Sequence, residues 1–242
     1  MKQLIVLIGF FLLMIALFIT GCDTMVLNKE SADNDILQFS YERPYFESYY
    51  SLPLKPRQKK ILDGGKKVLE LQAVYDTSMG YHQLSYKHGI GYAGGDVYPG
   101  GDLDPKTGVC TDVIIRALRY GGVADLQKDI HEDIKGAPAD YPLERWSQSG
   151  PNRTIDHRRV PNQHTWFKRN WINLNFFDFQ PGDVVVWDLD GDGAGDHIGI
   201  VSDRLIAGIK PYIIHNSPDV GYTSEGDVLK IEKMIGHYRI KS

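Results

Sequence analysis

The chain has 242 residues, 42% of them hydrophobic, and no low-complexity tract, which suits one sizeable core with an N-terminal extension rather than several domains. Its formal charge is −4, with acidic and basic residues interspersed. No broad basic surface is available for nucleic acid, and no basic face for anionic lipid, so neither class of partner is expected from charge.

Met1-Lys2-Gln3 carries one positive charge, and Leu4 to Ile19 is an almost unbroken apolar run ending in Ile19-Thr20-Gly21-Cys22. The run is short for a membrane span and suits the core of a signal peptide. Its ending resembles a bacterial lipobox, in which the cysteine is acylated after cleavage and becomes the new N-terminus. Residues 1–21 are thus expected to be a lipoprotein signal peptide. Residues 22–55 would be a lipidated N-terminus and tether, anchored to the membrane through the lipid on Cys22 by its buried methylenes. An ordinary signal peptide or an uncleaved anchor is the alternative. Asp23 resembles the inner-membrane retention signal of enteric-type bacteria. The expected location is extracytoplasmic, on the periplasmic face of the inner membrane in a Gram-negative cell.

The tether is polar and without sustained period, and residues 56–242 form the expected domain. Pro56 to Tyr75 spaces Ile61, Leu62, Val68, Leu69, Ala73 and Val74 as a helix, despite Gly64-Gly65 in its middle. Asp76 to Lys106 is rich in glycine and tyrosine and reads as loop, one wall of a groove. After Gly108, the residues Val113, Ile114, Ala117 and Leu118 place Cys110 in the first turn of an amphipathic helix. Asp125 to Lys135 makes a short helix through Leu126, Ile130 and Ile134, Pro138 to Arg159 is turn-rich, and His164 to Trp171 is another short helix. Val184–Trp187, His197–Val201, Tyr212–His215, Leu229–Lys233 and Gly236–Ile240 are β-rich runs bounded by turn residues. Helices first and an antiparallel meander second predict an α+β domain, its N-terminal helices packed on an antiparallel sheet.

Cys22 and Cys110 are the only cysteines. With Cys22 lipidated, Cys110 has no intramolecular partner, and a lone extracytoplasmic thiol is either buried or used. At a helix N-terminus, backbone N–H groups and the helix dipole favour the thiolate, the nucleophilic form. A cysteine nucleophile needs a base and the base an orienting group. His157, His197 and His215 are the candidate imidazoles. His197 opens a strand and His215-Asn216 closes the next, so neighbouring strands could bring them to Cys110, with His215 or Asn216 as orienter.

Pro181-Gly182-Asp183-Val184-Val185-Val186-Trp187, His197-Ile198-Gly199-Ile200-Val201 and Ile213-Ile214-His215-Asn216 resemble the core of NlpC-type and CHAP-type cell-wall peptidases of the papain-like clan. More specifically, Tyr98-Pro99-Gly100-Gly101-Asp102, Gly108-Val109-Cys110-Thr111-Asp112, His131-Glu132-Asp133, the run Ile155 to Asn162, and Gly236-His237-Tyr238-Arg239 resemble a bacterial family catalogued as domain of unknown function 1287, over about Lys59 to Lys241. The likeness implies a papain-like fold with Cys110 as nucleophile and His197 as general base. Aligned to NlpC enzymes, His215 is the orienter; aligned to papain-type pairs, Asn216 is. Tyr98 matches the tyrosine that lines the NlpC pocket. The Asp-Cys-Ser usual in NlpC enzymes is Val109-Cys110-Thr111 here.

Two further constellations stand out. Asp112 and the cluster Asp156, His157, Arg158 and Arg159 are candidate substrate contacts, since arginine grips carboxylates bidentately and peptidoglycan stem peptides carry several; a structural salt-bridge cluster is the alternative. Asp188, Asp190 and Asp192 with Gly193 mimic the start of a calcium loop, but Gly199 stands where the bidentate glutamate belongs, and a tight turn explains the residues equally well. No other cofactor is expected. The expected function is a lipid-anchored cysteine hydrolase, an amidase or endopeptidase on peptidoglycan peptides. A thioester-forming acyltransferase of the same clan and a non-catalytic wall-binding lipoprotein are the alternatives.

Overall fold

A computed structural model describes residues 53–78, 84–88, 90–92 and 95–242. The expected signal peptide, Cys22 and nearly all of the expected tether lie outside the described residues, which belong to one compact unit, Tyr50–Ser242. Among the described residues no helix is long and apolar enough to cross a membrane.

Helix α1, Pro56–Leu71, starts on a proline at a position where the missing N–H costs nothing. It runs through Gly64-Gly65 because the backbone of the next long helix passes there. A Cβ on Gly64 would sit 2.0 Å from the Ala117 carbonyl oxygen. The helix stops at Leu71, four residues short of the sequence expectation: Gln72 turns left-handed (φ 46°), and the β-branched and aromatic pair Val74–Tyr75 becomes strand β1. Between β1 and the second helix lie short strands β2 (Tyr86–Lys87), β3 (Ile90–Tyr92), β4 (Gly101–Asp102) and β5 (Thr107–Gly108). Strand β5 pairs in parallel with β1, Tyr75 against Gly108.

Helix α2, Cys110–Tyr120, buries every residue from Cys110 to Leu118. Helix α3, Leu126–Gly136, is capped by the Asp125 side chain, and α4, Val160–Asn170, begins four residues before the expected start because Pro161 seats its first turn. Strand β6, Ile172–Asn173, leads to the remaining strands: β7 (Val184–Trp187), β8 (His197–Ile206), β9 (Lys210–Asn216), β10 (Thr223–Gly226) and β11 (Met234–Arg239). The expected strand at Leu229–Lys233 is instead a loop closed by a 3-10 turn, Ile231–Lys233, so the last strand starts at Met234.

These strands form one antiparallel sheet in the order β10-β9-β8-β7-β11-β6. Val184, Val186, Ile198, Ile200 and Ile214 on one face join Ile61, Ile114 and Leu118 of the helices in a single core. Each buried side chain of this size contributes about 1.5–3 kcal/mol of transfer free energy. The α+β architecture with helices on an antiparallel sheet is the one the sequence predicts.

Asp183, fully buried just before β7, ties this strand to its neighbour β11 and to α1. It accepts from Arg239 Nε (2.8 Å) and Nη2 (2.7 Å), from Gln58 Nε2 (3.2 Å) and from the Gln180 N–H (2.8 Å), and it meets His237 Nε2 at 2.9 Å. The Pro181-Gly182-Asp183 turn and the Gly236-to-Arg239 strand are therefore two halves of one buried polar joint.

Candidate active site

Cys110 is the first residue of α2 and is only 7% exposed. The turn before it is held from two sides. The Asp112 carboxylate reaches back to accept from the Val109 N–H (2.8 Å), and Asn216 Nδ2 donates to the carbonyls of Gly108 (3.3 Å) and Ala73 (2.9 Å). The β8–β9 register runs from Ile200↔Ile214 to Ile206↔Lys210. At the other end of that ladder the Ile198 N–H points at the Cys110 sulfur, as does the Thr111 N–H. The thiol is thus wedged at the fork where β8 and β9 part, next in chain to His197.

His197 and His215 meet at that fork, Nε2 of His197 to Nδ1 of His215 at 3.1 Å, with the rings edge to face. The Trp187 ring, one strand over, packs against His197 with 5.6 Å between centroids. Of the two candidate orienters it is therefore His215 that touches His197, while Asn216, on the opposite face of β9, secures the Cys110 turn. Among the described residues no hydrogen bond joins the Cys110 sulfur to either imidazole.

Electrostatically the site is dry. Burial pushes the Cys110 thiol up to about 12, against the backbone donors that pull it down; the nearby Asp112 carboxylate adds to the rise. Burial likewise lowers His197 to about 4, helped by His215 and Lys230, and lowers His215 to about 4 against the pull of Asp219. The helix N-terminus alone predicts a thiolate; in the structure desolvation outweighs the dipole, and the resting pair is neutral thiol and neutral imidazole.

Tyr98 does not line this site. Its hydroxyl donates to Glu132 (3.2 Å), and its ring lies against His131 on α3 and under Arg153. The tyrosine within electrostatic reach of the sulfur is Tyr75 on β1, whose phenol is raised by burial and by Cys110. Reading α1 through Tyr75 hid this residue. Its signal was the β-branched and aromatic pair just past the last apolar helical position.

The acidic-basic cluster turns inward. Asp112 and Arg158 form a buried bidentate pair (2.9 and 3.0 Å), and Arg158, with Arg116 nearby, holds the Asp112 carboxyl down near 2 against the cost of burial. Asp156 accepts from Gln148 (3.0 Å) and lies 3.5 Å from Arg159, whose guanidinium stacks 4.0 Å over Trp146. His157 is 2% exposed and kept well below the ordinary imidazole range by burial and by Arg119 and Arg158. Asp112, Asp156, Arg158 and Arg159 thus face partners inside the protein, and all five residues of the cluster, His157 included, are buried beside the start of α2.

The aspartate-glycine turn before His197 is self-satisfied. Asp188 accepts from the N–H groups of Gly191 (2.6 Å) and Gly193 (2.8 Å), Asp190 from Asp192 (3.1 Å), and Asp192 from Ala194 (2.9 Å), with its other oxygen on Arg145 (2.5 Å). Asp196 rather than Asp192 groups with Asp188 and Asp190. Backbone donors hold the turn, and one oxygen from each of Asp188, Asp190 and Asp196 lies within 4.8 Å of the others, a spacing that could hold a metal ion.

A family model described as "Domain of unknown function (DUF1287)" matches residues 73–240, from just before β1 to the end of β11. The chain is also similar to "Uncharacterized protein YijF" of Escherichia coli (strain K12), 42% identical over 184 residues that cover 74% of this chain and 80% of the relative. The match takes in Cys110, His197 and His215 as well as both halves of the Asp183 joint, and the chain belongs to the DUF1287 family.

Proposed function

We propose that this protein is a cysteine hydrolase of papain-like arrangement, anchored at the cell envelope through a lipid on Cys22 and acting as an amidase or endopeptidase on peptidoglycan peptides. The observation that carries the reading is the His197–His215 pair at 3.1 Å, set beside a cysteine at a helix N-terminus. In this scheme His197 Nε2–H donates to His215 Nδ1, which leaves Nδ1 of His197 with a lone pair for the thiol. As substrate enters, the thiol proton passes to His197 Nδ1 while sulfur attacks the amide carbonyl. Backbone N–H groups at the start of α2, with the Tyr75 hydroxyl, stabilise the developing oxyanion. His197 then gives its proton to the leaving amine, and the thioester is cleaved by a water that His197 deprotonates.

One observation favours a second reading, acyl transfer. A cysteine 7% exposed in a dry fork would shield a thioester from water until an acceptor amine or hydroxyl arrived. Digestion of purified muropeptides by wild type and Cys110→Ala, followed by mass spectrometry, separates the two. A new amine and a shortened stem, absent with Cys110→Ala, support hydrolysis, and a product that gains an acyl group supports transfer. Unchanged muropeptides would overturn the peptidoglycan reading.

A further inference from the structure

A groove of about 710 Å³ opens between α3 and the 147–154 loop, away from Cys110. Its volume lies in the range of roughly 300–1,000 Å³ typical of ligand sites, and it opens to solvent rather than enclosing a cavity. His131 and the run from Pro151 to Thr154, which the cysteine site leaves unused, line it, and Tyr98 packs against His131. The Tyr98 ring stands against His131 at 5.3 Å, under the Arg153 guanidinium at 5.7 Å.

The wall is built in advance of any ligand. Asp156 accepts from Gln148 Nε2 (3.0 Å) and from the Asn152 N–H; Asn152 Oδ1 accepts from Thr154 N–H and Oγ1 (3.0 and 2.7 Å); Gln127 Nε2 donates to the Arg153 carbonyl (3.1 Å). A loop held this way loses little freedom on binding. Its chemistry is that of neutral hydrogen bonding. Ser147, Ser149, Asn152 and Thr154 carry hydroxyls and an amide, and His131 is held below the ordinary imidazole range by burial and Lys135. One acid, Asp96, balances one cation, Arg153, which forms no ion pair among the described residues. A polyanion would find a single cation here, and an apolar chain would strand the hydroxyls without partners.

We infer that this groove binds a neutral polyhydroxylated, amide-bearing chain, the chemistry of an N-acetylated glycan strand, and so seats the polymer whose peptides reach Cys110. The inference rests on the peptidoglycan reading for its choice of polymer, but its test does not pass through catalysis. The probe is a hexamer of N-acetylglucosamine, a neutral strand without lactyl carboxylates, titrated calorimetrically into Cys110→Ala, Cys110→Ala/Ser149→Trp and Cys110→Ala/Arg153→Ala. Ser149 and Arg153 are exposed loop residues, so folding is preserved. Binding by Cys110→Ala that weakens tenfold or more with Ser149→Trp, and weakens with Arg153→Ala, is the expected result. No binding by Cys110→Ala, binding that both added changes leave intact, or equal binding of sugar-free stem peptides at the same loop would overturn it. Strand binding without any muropeptide cleavage would count against the hydrolase alone, and cleavage without strand binding against the groove alone.

Discussion

Alkylation of Cys110 by iodoacetamide probes the state of the thiol directly. With the thiol at about 12 and an ordinary cysteine near 8.5, the two lie about three and a half pH units apart. At pH 7.5 Cys110 then holds about 3,000-fold less thiolate than free cysteine. A more basic thiolate is intrinsically the better nucleophile, with a Brønsted slope of about 0.4–0.5, which returns a factor of about 40. The net expectation is alkylation about a hundredfold slower than free cysteine, slower still for the cover of Ile198 and α2. The rate should climb through pH 10 without a plateau, and His197→Ala should leave it unchanged, because His197 at about 4 is neutral throughout. The assay is mass-spectrometric labelling across pH 6 to 11, on chain lacking residues 1–22 so that Cys110 is the single thiol. Labelling at pH 7.5 as fast as free cysteine, lost in His197→Ala, would mean a resting thiolate–imidazolium pair and refute the reasoning.

Other outcomes follow from the same geometry. Gly64→Ala places a methyl 2.0 Å from the Ala117 carbonyl, whereas at Gly65 the nearest atoms are side-chain ends of Ile214 and Ile200 at 3.2 and 3.4 Å. Gly64→Ala should cost about 3 kcal/mol in a chemical-denaturation series and Gly65→Ala far less, since only the first forces two helices apart. Arg158→Met strands the buried Asp112 carboxylate and should cost about 3–5 kcal/mol. Because Asp112 is held near 2, wild-type stability should fall as pH drops from about 4 toward 2, and that fall should shrink in Arg158→Met. His197 and His215 have the opposite protonation preference to their unfolded forms below pH 6.5, so both also withdraw stability between 6.5 and 4; replacing both by phenylalanine should flatten the calorimetric Tm over that interval. In the muropeptide assay His215→Ala should lower kcat by about 10²–10⁴ with the fold intact, while Asn216→Ala should lower Tm by loosening Gly108 and Ala73.

The architecture was legible because hydrophobic period changes from helical to alternating near residue 180, and because Cys110 and Asp125 sit at helix starts, where their chemistry belongs; Pro161 carries the same signal, yet the expected start of that helix is His164. Boundaries failed where a local exception needed a distant cause. Gly64-Gly65 looks like a helix breaker until the Ala117 carbonyl is seen beneath it, and Val74–Tyr75 continues a helical stripe on paper while pairing with Thr107–Gly108 in space. At the site, sequence order offered His215 and Asn216 equally. Strand alternation lets one of them touch His197, and only the register decides which. A salt-bridge role for Arg158 was one of the two readings open, but its partner was beyond reach for a similar reason, since Asp112 lies 46 residues earlier.

One physical cause links these features. Buried charges on and near α2 have partners at hydrogen-bond distance: Asp112 has Arg158 and Arg116 has Asp102 at 2.9 Å, and just before β7 Asp183 has Arg239. Among the described residues Cys110, His197 and His215 form no ion pair, and desolvation favours the neutral form of all three. Charge separation between sulfur and imidazole would be stabilised only by something that arrives with the substrate, namely the transfer of negative charge onto the carbonyl oxygen. In the extracytoplasmic hydrolase proposed above, a nucleophile that ionises only as it attacks would avoid the standing thiolate that makes a lone cysteine vulnerable to oxidation. In this molecule the burial that suppresses Cys110 at rest is therefore the same feature that lets an unpaired thiol persist there.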